Sequence, residues 1–281
     1  MRRLRAFRTN RFAVAGAAVV ALVALAALAA PWLSPADYAR QDLAQRLKAP
    51  GARYLLGSDG FGRDVLSRLL WGARVSLLIG AAATLLTIGI GGAVGAISGY
   101  AGGLVDQLLM RLTDAVMSMP PLLLMLVIVA IYGAGTWMTP LIIGVVFWPG
   151  TARLVRAEVL RLRALEYVEA ARALGLSPLR ILARHVMPNT ASPVLVQASL
   201  IAAESILLES GLSYLGLGAQ PPLPSWGNML TEGRSFMDSA WWVSTFPGVA
   251  IFLCVLGMNI AGDGLRDALD PRAVLRRQPE R

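Results

Sequence analysis

Apolar residues in this chain gather into long runs separated by shorter charged stretches. Phe12 to Leu33 carries no charge, and about 20 such residues cross the hydrocarbon of a bilayer. The run follows Arg2, Arg3, Arg5, Arg8 and Arg11. A cleaved signal peptide is the rival reading, with "ALAA" near Ala30 as its cleavage site. The run exceeds the roughly 7–15 apolar residues of a signal core, which favours a retained span. Further spans are predicted at Val75–Tyr100, Pro120–Gly135, Trp137–Ala157, Ala191–Tyr214 and Trp241–Ala261. Gly91, Gly95 and Gly99 put small residues on one face of the second span, where a neighbouring backbone can approach closely. Pro120-Pro121 sits at a helix start, where a missing N–H costs little. Pro149-Gly150 interrupts the fourth span and predicts a kink. Such a break marks a transport path or a plain packing kink, and both readings stand. The pattern is therefore all-α, a polytopic membrane protein with about six transmembrane helices.

Composition agrees: 56% of the 281 residues are hydrophobic and 15% charged, with a mean hydropathy of +0.60. A soluble domain carries roughly 25% charged residues. The net charge of +9 reads as basic residues flanking spans on the cytoplasmic side. Nucleic-acid binding is excluded as the reason, because no basic patch is interleaved with aromatics of the stacking kind. One cysteine, Cys254, and one histidine, His185, leave no disulfide framework and no Cys/His metal cluster.

Sidedness follows from the basic residues. Residues 1–11 form a cytoplasmic tail and 12–33 the first span. Residues 34–74 are external, 75–265 form the transmembrane core with a cytoplasmic loop at 159–190, and 266–281 form a cytoplasmic tail with Arg266, Arg272, Arg276, Arg277 and Arg281. The stretch Ala101–Ser118, with Asp106, Arg111 and Asp114, also falls on the cytoplasmic side. Trp241-Trp242 fit an aromatic belt at the outer interface. The external stretch is itself rich in cations, with Arg40, Arg46, Lys48, Arg53, Arg63, Arg68 and Arg74. The Arg-rich ends, the Arg-rich 159–190 loop and the sparse 215–240 loop outweigh it.

"EYVEAARALGLSPLRILARHVMPN", residues 166–189, interrupts the apolar pattern. Glu166, Glu169 and Arg172 share one helix side, and Leu162, Leu165 and Val168 another. Gly175 suits a left-handed helix stop. Ser177 as N-cap and Pro178 at the first position restart a helix. In it Leu179, Leu182 and Val186 form an apolar stripe, Arg180 and Arg184 a basic one, and Pro188 ends it. Ala170 and Ala171 would let a partner surface approach closely. A solvated loop resting on the membrane and a docking element both fit these residues.

Asp59, Gly60, Gly62 and Asp64 lack the alternating oxygen ligands of a calcium loop. A glycine turn, capped by Asp64 ahead of an amphipathic helix with Val65, Leu66, Leu69 and Leu70 on the membrane surface or a partner, is the better fit. Asp263, Arg266, Asp267 and Asp270 recur at helical spacing and predict an ion-paired helix ended by Pro271. Glu204 and Glu209 lie within the fifth apolar run, where a carboxylate near a span centre costs about 3 kcal/mol. Each faces a pore or makes an interhelical hydrogen bond. Met117, Met119 and Met125 read as apolar filler, not metal ligands. No G-x-x-x-x-G-K-[ST] run and no Ser/His/Asp constellation is visible, so the chain is expected not to be an enzyme by itself.

Glu169-Ala170-Ala171, followed by Gly175 and Pro188, resembles the EAA signature of permease subunits of ABC importers. "RHVMPN" is similar to the form in the peptide and nickel branch, with His185 and Met187 where the general pattern has Ile and Leu. "LGSDGFGRDVLSRLLWGARVSL" at 56–77, "ESGLSYLGLGAQPPLPSWGNML" at 209–230 and "NIAGDGLRDALDPR" at 259–272 resemble the C-type subunit of that branch. The resemblance implies the type I importer permease fold in the bacterial inner membrane, with both termini cytoplasmic. It also implies a second permease subunit as heterodimer partner, two cytoplasmic ATPase subunits that use ATP and Mg, and an external solute-binding protein. The chain itself would hold no cofactor. The implied ATPase-coupling loop comprises Glu166, Glu169, Ala170, Ala171, Gly175, His185 and Pro188. The substrate would be a peptide or a related small solute. An autonomous secondary transporter or channel, and a membrane scaffold without a path, are the competing classes; the first predicts ATP-independent flux.

Overall fold

Ten helices carry the architecture of the computed structural model, which describes Phe7 and residues 10–269. They are α1 (Arg11–Leu28), α2 (Val65–Ala101), α3 (Gly103–Met117), α4 (Pro121–Tyr132), α5 (Met138–Arg163), α6 (Glu166–Ala173), α7 (Pro178–Ile181), α8 (Met187–Tyr214), α9 (Trp226–Arg234) and α10 (Trp242–Leu269). No β-strand occurs among the described residues. Arg2, Arg3, Arg5, Arg8, Asp270, Pro271 and the arginines at 272 and beyond lie outside them.

Five stretches are long and apolar enough to cross a membrane: α1, α2, α5, the continuous helical stretch Pro178–Tyr214, and α10. A sixth crossing needs α3 and α4 together, which meet at a 90° bend. Alone, the 12-residue α4 reaches about 18 Å, short of the roughly 30 Å of a bilayer core. Helix direction decides the matter. Positions 91, 95 and 99 of α2 face positions 148–151, 152–156 and 156–159 of α5 in ascending order, so the two helices run parallel. The chain between them must therefore return across the bundle, and α3 with α4 is that return.

α2 and α5 form the central pair. A methyl added to Gly95 would stand 2.9 Å from Val155 Cβ and 3.0 Å from the Arg156 nitrogen, and one on Gly91 2.6 Å from the Trp148 carbonyl oxygen. This is the close approach that the glycine spacing predicts. α8 runs antiparallel to α2, with Gly80 near Ile206 and Ser76 near Glu209. α10 runs antiparallel to α1, with Gly257 against Gly16 and Gly264 against Ala13. Both described chain ends thus lie at one end of the bundle.

Several boundaries differ from the sequence expectation. α2 begins at Val65, ten residues early, because Asp64 caps it by accepting from the Ser67 N–H (2.7 Å) and O–H (2.6 Å). Its first turns point inward: Val65 is buried and Leu69 packs on two core clusters, so neither rests on the membrane surface. Residues 103–117, to which the sequence assigns only a side, form a helix. α5 runs through Pro149-Gly150 without a break. α10 extends to Leu269 and contains Asp263, Arg266 and Asp267; no ion pair joins these three among the described residues. Trp242 is buried, donating from Nε1 to the Ser58 carbonyl at 3.1 Å, so of the tryptophan pair only Trp241 faces outward.

Candidate functional site

At the bundle end where α2 stops and α5 ends, the Arg163 guanidinium donates to the carbonyls of Gly99 (2.9 Å) and Tyr100 (3.4 Å). It closes orphan carbonyls at the C-terminus of α2, where a cation also suits the helix dipole. Residues 166–189 fold here as a bracket. The Gly175 N–H donates to the Arg172 carbonyl and the Leu176 N–H to that of Ala171, with Gly175 at φ +77°. This paired closure is the Schellman stop, which requires the left-handed conformation that glycine adopts freely. Ser177 stands at the N-cap of α7 and Pro178 at its first turn, but the Ser177 hydroxyl makes no capping bond.

The inner face of the bracket is core. Val168, Ala171, Ile181 and Val186 pack with Val155, Val159 and Leu162. Ala171 therefore meets its own chain, not a partner, whereas Ala170 is exposed with Glu166, Glu169 and Gly175. Leu165 and Leu179 depart from their predicted stripes and face outward. Pro188 does not end a helix. A π-helical turn, Leu182–Val186, precedes it, with the Met187 N–H bonding to the Leu182 carbonyl, and Pro188 then falls in the first turn of α8. At that position its missing N–H leaves no ladder bond broken. The His185 ring is half-buried, and its backbone carbonyl accepts from Asn189 Nδ2 (2.7 Å) and the Tyr167 hydroxyl (3.3 Å). Sequence reading missed Tyr167 and Asn189. The clasp acts through a backbone carbonyl, so it does not specify the side chain at position 185.

The two intramembrane glutamates separate. Glu209 is fully buried and accepts from Ser76 on α2 (3.2 Å) and Ser213 on α8 (2.7 Å). Ser76 accepts from the Trp226 N–H, and Ser213 from the Ala219 N–H. Ser225 and Asn228 close a reciprocal capping box on α9. Glu209 is an interhelical hub, and its network accounts for the spacing of serines, Trp226 and Asn228 within 209–230. Glu204 is exposed, on a cleft of about 210 Å³ between α3, α4, α5 and α8. Met117 and Met119 line this cleft, while Met125 alone of the three is buried filler.

The opposite bundle end holds an ionic cluster that sequence reading also missed. Asp59 accepts from Arg63 Nε (2.6 Å) and Arg68 Nη1 (2.6 Å), and Glu232 accepts from both arginines. Two cations of the 34–74 stretch are therefore neutralised inside the fold.

Long apolar helices around a central parallel pair, with a helix–turn–helix bracket on a loop at one end, are the frame of a transmembrane permease subunit. Residues 91–274 match the family described as binding-protein-dependent transport system inner membrane component. Residues 2–50 match the N-terminal TM domain of oligopeptide transport permease C. The chain belongs to this family of ABC importer permeases, within its peptide and dipeptide branch. It is 41% identical over 263 residues to the dipeptide transport system permease protein DppC of Alkalihalophilus pseudofirmus, covering 94% of this chain and 86% of that one. Identity is 42% over 272 residues to the di/tripeptide transport system permease protein DppC of Pseudomonas aeruginosa, covering 95% and 90%. The fold matches a chain of the inward-facing MetNI methionine ABC transporter, with TM-score 0.59 and 17% identity over 72% of this chain and 96% of that one.

Proposed function

We propose that this chain pairs with a second permease to form the membrane path of an ATP-driven peptide importer. A binding protein would deliver substrate to the end formed by residues 34–64 and 215–241. One of two ATPase subunits would dock at the opposite end on the 159–190 loop, and the pair would supply the ATP and Mg chemistry. The observation that carries the docking assignment is the bracket's division of faces. Its inner side is packed core, while Leu174 and Leu179, flanking the Gly175 turn, are 81% and 76% exposed. Two leucines held out from a rigid turn favour insertion into an apolar cleft, with Glu166, Glu169 and Ala170 beside them.

Leu174→Asp tests this at a position that makes no core contact. The co-purifying ATPase is expected to fall, with the subunit held by this loop lost, while the second permease stays bound. Retention of the ATPase by this variant and by Leu179→Asp would sink the docking assignment.

A further inference from the structure

Among the described residues, Glu204 is a carboxylate without a counter-ion. It lies within about a turn of the middle of the 28-residue α8. It makes no hydrogen bond or ion pair among the described residues, whereas Glu209, little more than a turn further on, is fully buried and accepts from two serine hydroxyls. Its cleft is walled by Met117, Met119, Phe147 and Ile201. Gln197 is the other polar side chain there, and it also lines a larger cleft of about 610 Å³ at the bracket end, between α5, α8 and α10. Gln197 and Glu204 stand seven residues apart, on one face of α8. The face thus carries polar groups from the bracket end to mid-span.

A carboxylate facing hydrocarbon is strongly disfavoured, so Glu204 must meet water, a cation or a hydrogen-bond donor from outside the described residues. A peptide in transit brings one fixed cation whatever its side chains: the α-ammonium at its N-terminus. The methionines and Phe147 offer adaptable apolar contact to varied side chains, which leaves the one charged group to read the part of the substrate that does not vary.

We propose that Glu204 is a specificity-determining residue that receives the N-terminal ammonium of the peptide in the translocation path. This rests on the peptide-importer reading above. A hydrogen-bonded charge pair in a site of low polarity sets a preference of about tenfold or more.

The test uses the complete importer in liposomes and compares a dipeptide with its N-acetylated form, with uptake expressed per loaded binding protein. Wild type is expected to favour the free amine about tenfold. Glu204→Gln should bring the ratio near one, while Glu204→Asp keeps most of the preference. Gly150→Lys probes the same cleft with Glu204 left in place. Nothing lies within 4 Å of a side chain begun at Gly150, and the new ammonium should compete for Glu204 and lower the ratio. A wild-type ratio near one overturns the proposal. So does a Glu204→Gln complex that keeps the wild-type ratio, or one that loses its second permease while Gly150→Lys leaves the ratio unchanged; the last result assigns Glu204 to a cation of the partner. If the wild-type importer takes up neither peptide, the peptide-importer reading itself fails, and this proposal with it.

Discussion

Glu232 is the residue on which the ionic cluster around Asp59 depends. Arg68 is 2% exposed and Arg63 7%, and Asp59 alone offers one carboxylate to two guanidinium groups. Glu232, from α9, supplies the second charge and ties the 59–68 turn to a segment 164 residues away. Removing one partner of a buried ion pair costs about 3–5 kcal/mol, because the remaining charge is left uncompensated. Glu232 is 24% exposed, so water softens the loss, and Glu232→Ala is expected near the lower figure. Thermal unfolding of the purified protein in detergent measures it. Combining Glu232→Ala with Arg63→Met removes one charge of each sign, so the double variant should be destabilised by clearly less than the sum of the two single changes. Additive losses would mean that the two side chains do not act as a pair.

At the scale of elements, the α2–α5 contact makes a sharper prediction than helix propensity does. Gly89 has open space where a side chain would start, whereas Gly95 faces α5 backbone. Gly→Ala in a helix interior gains roughly 0.5–1 kcal/mol where nothing obstructs it. Gly89→Ala should therefore be neutral or stabilising. Gly95→Ala should destabilise by about 1–3 kcal/mol through forced separation of the two helices, read as a lowered unfolding midpoint. Equal effects at both sites would remove the close-packing account. The glycine stripe was legible in the sequence because its spacing matches the helix repeat, and the spans were legible because hydrocarbon demands uncharged runs. The helix ends were not. A helix continues past the membrane surface wherever charges find partners, as Arg68 does near the start of α2. Pro188 read as a stop because a single sequence does not announce the π-helical turn that moves it into a first turn. Likewise Glu204 and Glu209 look alike in the sequence. Only the approach of Ser76 from α2, itself held by the Trp226 N–H, tells them apart.

For the whole molecule, orientation is the consequence still open to measurement. The positive-inside tendency counts cations near span ends, and by that count the 34–74 stretch competes with the opposite face. The structure changes the balance. Arg63 and Arg68 are paired internally, Arg53 lies 3.9 Å from Asp42, and Arg46 stacks over Phe236. Fewer free cations remain on that end than the sequence suggests. Six crossings follow from the parallel α2 and α5, and α1 begins beside the end of α10, so both described chain ends share the side of the 166–189 bracket. Arg46 and Leu174 then mark opposite faces. The native thiol, Cys254, is buried, which leaves an introduced cysteine as the principal target for a membrane-impermeant maleimide. Arg46→Cys should label from outside intact cells, and Leu174→Cys only after the membrane is opened. The reverse result would put the bracket outside, away from ATP, and remove the basis for its coupling role. Labelling of both from outside would overturn the crossing count itself, because an odd number of crossings between positions 46 and 174 is what separates them.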